Sequence, residues 1–322
     1  MVIIRGAGLA GLAAAARLAR LGHEVTLATG GTPLGDAYAP GVPTNPDPLG
    51  TITLPAAWRD LFKKSGGHLT TELNRAHLTL VEADPVAVDL GEGDLLRLPA
   101  ERGAQFRAIG ERLGEAEAAR WRDLIDSLDD AWIVFRRHAL EGTTPVTTPG
   151  QRAALLLDVS AGDLADRVHP ALGRLVVDAA GTPGAPGVEA LPLAVERTFG
   201  RWRLVAADGT ARPGTSLVGL LTTRLAERGV QLADEPPGPV DIDCVPAGPV
   251  GRAHDAAAWL ARTPIAGADG RLRASAASPA GTQPWAELGS AALAVYALHE
   301  RLTGEDCRPT NVDFRLPRLP QG

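Results

Sequence analysis

The chain has 322 residues, 45% hydrophobic and 22% charged, with a formal net charge of −6. That length buries a large core and suits one or two domains, and the acidic balance gives no basic stripe for nucleic acid. No apolar run reaches the 18 residues needed to cross a membrane, and Cys244 and Cys307 have neither metal nor disulfide-framework spacing.

Val2-Ile3-Ile4 predicts a short buried strand, and Gly6-Ala7-Gly8-Leu9-Ala10-Gly11 follows at once. An Ala- and Leu-rich helix is expected over residues 12–21, closed by Gly22, then a second strand over residues 23–28. Strand, glycine turn, helix and strand is the context in which GxGxxG signals dinucleotide binding. Gly6 permits the tight turn, Gly8 lets the backbone approach a pyrophosphate, and Gly11 lets the helix close on the strand. The helix start then offers N–H groups and the positive end of its dipole to an anion. The acid that normally holds the adenosine ribose ends the second strand. That position falls at Thr29, just before Gly30 and Gly31, and no arginine follows to read a ribose phosphate. Arg5 ends a strand that should be buried, which is costly unless the guanidinium is paired. A pyrophosphate, an acidic side chain or escape to solvent would each satisfy it. No basic n-region marks a secretory leader, so a cytoplasmic location with reduced thiols is expected.

Residues 32–50 hold five prolines and read as a long loop. A short helix is predicted over residues 57–64, then strands over 78–81, 87–90 and 95–98, the last two joined as a hairpin by Gly91-Glu92-Gly93-Asp94. Residues 104–138 have helical period, with Trp121, Leu124, Ile125, Leu128, Trp132 and Phe135 on one stripe. That stripe reads first as core, and its acidic neighbours exclude an anionic lipid surface. Helices are expected over 155–166 and 169–178, a returning segment over 191–202, and a helix over 216–228 ended by Gly229. Residues 230–232 and 240–245 read as strands, and 256–260 and 285–302 as helices.

At this point the chain resembles a family. Residues 3–29, Asp47-Pro48-Leu49-Gly50-Thr51-Ile52-Thr53-Leu54-Pro55 and Leu61-Phe62-Lys63-Lys64-Ser65-Gly66-Gly67 are similar to the N-terminal region of phytoene desaturase-like flavoproteins of the FAD-dependent amine oxidase superfamily. The likeness continues through Ala83-Asp84-Pro85, residues 195–202 and 217–230. It ends in Arg273-Ala274-Ser275-Ala276-Ala277-Ser278-Pro279-Ala280-Gly281, which looks like the C-terminal flavin segment. The resemblance implies an α/β fold: a Rossmann-type FAD/NAD(P)-binding domain with an inserted, reduced substrate or cap domain. It places the FAD domain in residues 1–98 and 205–322 and a mainly helical cap in 99–204. It implies FAD as cofactor and hydride removal from an apolar or amine-like small molecule. Gly6, Ala7, Gly8, Leu9, Ala10, Gly11, Thr29, Gly30, Ser275 and Ala276 are the implied cofactor-binding residues. Ser275-Ala276 stands where the family has Gly-Asp, so both usual acidic anchors, at Thr29 and Ala276, are replaced. Members are also far longer, and residues 245–273 leave little room for the second part of a substrate domain.

Other chemistry is thin. The seven histidines have no metal spacing, no catalytic base is identified, and His254-Asp255 are adjacent positions that would not face each other on a helix. Asp241 and Asp243 share one face of a strand, as an acid/base pair or as strand-end caps. Three readings stay open: an FAD-dependent oxidoreductase, a catalytically degenerate descendant that serves as a binding or partner module, and an NAD(P) enzyme, against which Thr29 speaks.

Overall fold

The computed structural model describes residues 1–35, 50–142, 144–248 and 250–308. In chain order, β1 (Val2–Arg5), α1 (Leu9–Arg20) and β2 (Val25–Ala28) form the opening unit. Then come β3 (Ile52–Thr53), α2 (Pro55–Lys64), α3 (Leu69–Arg75), β4 (Leu78–Glu82), β5 (Val86–Gly91) and β6 (Asp94–Leu98). A helical run follows: α4 (Arg102–Leu113), α5 (Glu115–Phe135), α6 (Pro149–Ala154), α7 (Ala161–Ala165), α8 (Pro170–Ala180) and α9 (Leu191–Phe199). The chain returns through β7 (Arg201–Ala206), β8 (Ala211–Arg212), α10 (Ser216–Glu227), β9 (Gln231–Ala233), β10 (Ile242–Asp243), α11 (Ala256–Leu260), β11 (Leu272–Arg273) and α12 (Pro284–Thr303).

Five parallel strands form the central sheet in the order β11-β10-β1-β2-β9. On one side β1 pairs with β2, the next strand in the chain, and on the other with β10, from its far end. The strand order therefore reverses between β1 and β10, which is where doubly wound folds bind ligands, at the carboxyl ends of the strands. Alternation along the strands turns Val2, Ile4, Val25, Leu27, Ile242 and Leu272 into one cluster with α1 and α12. Those two helices meet through small side chains, among them Ala10, Ala13 and Ala14 of α1 and Ala291 and Ala294 of α12, all fully buried. Small residues let the backbones approach, so contact replaces side-chain bulk.

A second, antiparallel sheet, β3-β7-β4 with β8 on β7, adds Ile52, Leu78 and Leu204 to this cluster. The β5–β6 hairpin instead packs Val88, Leu96 and Leu98 into a separate, mainly helical cluster centred on α5. The predicted stripe is core there: Trp121, Leu124, Ile125, Leu128, Trp132 and Phe135 are all buried. Trp285, on the first turn of α12, joins it edge-on to Trp132 with ring centroids 5.2 Å apart. Among the described residues no helix is long and apolar enough to cross a membrane.

The structure corrects several sequence expectations. The helical stretch 104–138 is two helices, because Gly114 takes φ +91 and starts α5 anew; residues 136–140 then form a π-helical turn. Residues 155–166 are not one helix. Leu156 sits at φ +52, and its carbonyl and that of Val159 accept the Gly187 N–H. Helix resumes only after Ser160, which forms a capping box with Asp163. The returning segment 191–202 is α9 followed by the start of β7, and α3 has no counterpart in the sequence reading. Of the expected proline-rich loop, residues 36–49 lie outside the described residues.

Candidate cofactor-binding site

Because the central strands are parallel, the residues that follow β1, β2 and β11 come together at one edge of the sheet. Gly6 to Gly11, Thr29 with Gly30, and Ser275 with Ala276 all lie there. Gly6 takes φ +116, and a Cβ on it would stand 2.9 Å from the Cys244 carbonyl carbon just beyond β10. Gly8 is the extended N-cap of α1, and its carbonyl accepts the Leu12 N–H at 3.0 Å. Gly11 is the tightest point of the turn: a Cβ there would lie 1.9 Å from the Gly6 carbonyl oxygen. Gly35 closes the turn from outside. Its N–H donates to Ala7 at 2.7 Å, and a Cβ on it would strike Val218 of α10 at 2.2 Å. A Cβ at Gly6 or Gly11 would therefore press on backbone, and one at Gly35 would displace Val218.

Beside it, Thr29 is held in its own turn. Its N–H donates to Ala233 of β9 at 2.8 Å, and its hydroxyl accepts the Gly31 N–H at 3.2 Å. Ser275 is buried, its hydroxyl accepting from Ala277 N–H and its own N–H donating to the Ser278 hydroxyl. Ala276 is buried as well.

Arg5 meets an acidic side chain. It points to the sheet face opposite α1 and forms a two-pronged pair with Asp243, its register partner on β10, with Nε to Oδ1 at 3.0 Å. The hydrogen bond to Asp243 raises the guanidinium above its ordinary range. Asp243 also accepts the Val245 N–H at 3.2 Å, and Asp241 accepts the Ile3 N–H at 2.9 Å. The two carboxylates thus tie β10 to β1 and are not joined to each other as an acid/base pair. His254 and Asp255 do meet, at 3.4 Å on the surface, because Asp255 is the extended N-cap of α11 and not a helical residue. Cys244 is buried, and desolvation pushes its thiol up, out of reach of reaction. Among the described residues no group of three or more His, Cys, Asp or Glu could hold a metal.

One crevice adjoins the glycine turn, and a larger cavity lies farther along α1, at Arg17. A crevice of about 70 Å³ opens between the first turns of α1, α10 and α12, lined by Leu9, Thr51, Thr53, Trp58, Thr215 and Glu287. A larger cavity of about 340 Å³ runs along the seam between the two clusters, with Trp132, Leu140, Phe199, Trp285 and Leu288 on its apolar walls. Arg17 reaches its edge and pairs with Asp60 at 2.6 Å. Leu54 lines the larger cavity while its chain neighbours Ile52 and Thr53 line the smaller. It does so in the left-handed region, φ +49 and ψ +60, a strained conformation for a branched side chain. Sequence reasoning missed Leu54 and Glu287. The one signal for Glu287 was a lone acid in the apolar run Trp285-Ala286-Glu287-Leu288.

Comparison with known proteins bears on this geometry. The family model described as FAD binding domain matches residues 1–236. A hydroxyneurosporene desaturase of Cereibacter sphaeroides is 32% identical over 260 residues, covering 72% of this chain and 48% of the relative. One from Rhodobacter capsulatus is 29% identical over 252 residues, covering 71% and 48%. The chain thus spans about half the length of the curated relatives it matches, and the desaturase-like resemblance is borne out. Two solved structures overlap it loosely. They are an oxidoreductase from Methanosarcina mazei (TM-score 0.39, 14% identity, 76% of this chain and 58% of that one) and a Rab GDI from Plasmodium falciparum (TM-score 0.38, 10% identity, 72% and 57%). With the model matching well over half of its length, the chain belongs to the FAD binding domain family.

Proposed function

We propose that this chain binds FAD at the glycine turn between β1 and α1 and serves an oxidoreductase that takes hydride from an apolar small molecule. The observation that carries the reading is the 1.9 Å approach of a Gly11 Cβ to the Gly6 carbonyl, which leaves the start of α1 pressed on the strand end as a pyrophosphate site requires. FAD bound there supplies a two-electron acceptor for a hydride. The chain's own residues do the rest. The cradle fixes the phosphates through backbone and helix dipole, and the aromatic seam cavity holds an apolar body away from water. The names of the curated relatives support the same direction.

Both usual acids are replaced, at Thr29 and Ala276, and the Thr29 hydroxyl is already engaged by Gly31. Each missing charged hydrogen bond is worth roughly 1.5–3 kcal/mol, so two would weaken FAD by a few powers of ten. That observation favours a second reading, a fold retained for binding a partner with little or no flavin. One measurement separates them: the absorption spectrum of the purified protein, repeated after soaking in excess FAD and desalting. Flavin bands in the near ultraviolet and blue that survive desalting support the enzyme reading. A colourless protein overturns it.

A further inference from the structure

We infer that Leu54 is a specificity-determining wall of the seam cavity, and that the cavity seats an uncharged apolar molecule, or a stretch of one, of roughly 13 non-hydrogen atoms. This rests on the reading of that cavity given above. Ile52 and Thr53 of β3 line the crevice beside the glycine turn, whereas Leu54 lines the cavity. Packing draws the same division: Ile52 belongs to the α1–α12 cluster and Leu54 to the cluster around α5. The first turn of α12 repeats it, with Pro284 and Glu287 on the crevice and Trp285 and Leu288 on the cavity. Leu54 and that turn therefore stand between the two spaces. Leu54 is 9% exposed and holds φ +49, ψ +60. Glycine takes that conformation freely and leucine does not, so the strain is kept for the sake of the side chain.

Volume sets the size of the ligand. A cavity of about 150 Å³ accepts benzene, with its six non-hydrogen atoms, so one of about 340 Å³ accepts roughly twice as many. Charge sets the class. The charged side chains on the wall are Arg17, Asp60, Arg136 and Glu141. They are paired among themselves: Arg17 with Asp60 at 2.6 Å, and Arg136 Nε with Glu141 at 2.7 Å. The other guanidinium nitrogens of Arg17, Nε and Nη1, are covered by protein. A charged ligand would lose its hydration here and meet only charges already paired. An uncharged one escapes that cost and buries its surface against Trp132, Phe199 and Trp285.

A chain-length ladder of primary alcohols, octanol to hexadecanol, each kept below its solubility limit, tests this on the whole chain. Tryptophan fluorescence reads the binding, since Trp132 and Trp285 line the cavity. Wild-type affinity should rise about fourfold for each added CH2. It should level off at roughly 13 non-hydrogen atoms. Decanoate and decylammonium should bind at least roughly tenfold more weakly than decanol. Leu54→Ala removes three carbons from the wall and should move the plateau up by about as many. Leu54→Gly should move it equally and be no less stable than the Ala variant, because glycine relieves the positive φ. A plateau unmoved in both variants overturns the role of Leu54, and the Gly variant alone decides this should Leu54→Ala not fold. A rise that continues to hexadecanol in the wild type overturns the size, and tighter binding of either charged analogue overturns the class. If no alcohol binds, the whole inference falls; FAD retention in the desalted spectrum then judges the FAD reading separately.

Discussion

The two buried clusters differ at their centres. Where α1 meets α12 the contact runs through small side chains, Ala10, Ala13, Ala14, Ala291 and Ala294, and Gly11 sets the start of α1 against the Gly6 carbonyl. Around α5, rings join the aliphatic side chains: Trp121, Trp132, Phe135, Trp259 and Trp285. The first cluster fixes the path of the backbone, as a cofactor cradle needs. The second fills volume and leaves a 340 Å³ cavity at its border, as a site for an apolar ligand needs. The difference teaches where each half is vulnerable, the first to added atoms and the second to removed ones.

The strongest way to break the contrast is to add one methyl group to the tight side. In Gly11→Ala the new Cβ meets a backbone carbonyl at 1.9 Å, and no flexible side chain can move aside. Relief requires α1 to lift off the sheet. The expected cost is about 4 kcal/mol or more, with loss of FAD retention. Urea denaturation followed by far-ultraviolet circular dichroism reads the first effect, and the desalted absorption spectrum reads the second. A variant of near wild-type stability would show that the cradle is looser than its geometry.

The matching test on the other side removes a ring. Trp132 stacks on Phe135 at 5.6 Å and meets Trp285 and Phe199 edge-on. Trp132→Ala should cost about 3–4 kcal/mol, yet leave the glycine turn and FAD affinity intact, because its contacts lie in the helical cluster. If FAD affinity fell as far as stability, the two clusters would not be separable and the comparison would fail.

The same contrast explains what could be read from residues alone. The β1–α1–β2 unit is local, and Gly11 meets the Gly6 carbonyl within it, so its position was legible; the contact of Gly6 with Cys244 was not. The stripe from Trp121 to Phe135 was legible because helical period reports burial directly. The breaks at Gly114 and Leu156 were not, since the helical pattern runs straight through them; Gly114 turns on its own positive φ, and at Leu156 a tertiary hydrogen bond from Gly187 decides the outcome. The site beyond the turn was legible only in part. The segment around Ser275 was found by resemblance. Glu287 and Leu54 owe their position to packing between elements far apart in sequence, which no local pattern announces. Arg5 was marked as a charge in need of a partner, but Asp243 lies 238 residues away and only the parallel pairing of β1 with β10 selects it.

The smallest expected effect sharpens the comparison at the amino edge of the sheet, far from the cradle. His23 Nε2 and His299 Nδ1 are 2.8 Å apart, joining the α1–β2 link to the end of α12, and His299 is 4% exposed. Histidine spacing gave no hint of this, because 276 residues separate the pair. Burial, then the charge of His299, lower the His23 pKa from its ordinary value. The folded state therefore binds fewer protons at this site than the unfolded chain. The linkage contribution is fully present above the ordinary histidine pKa of about 6.5 and is lost as pH falls through it. Stability should therefore fall slightly between pH 8 and pH 5, the smallest of these effects because His23 is only partly buried. Hydrogen exchange along α12 should quicken over that range while α5 in the aromatic cluster stays unchanged, and His23→Gln should flatten the response. If acid instead loosens α5 and spares α12, the pair is not the origin of the pH dependence, and the tight cluster owes its stability at this edge to apolar contact alone.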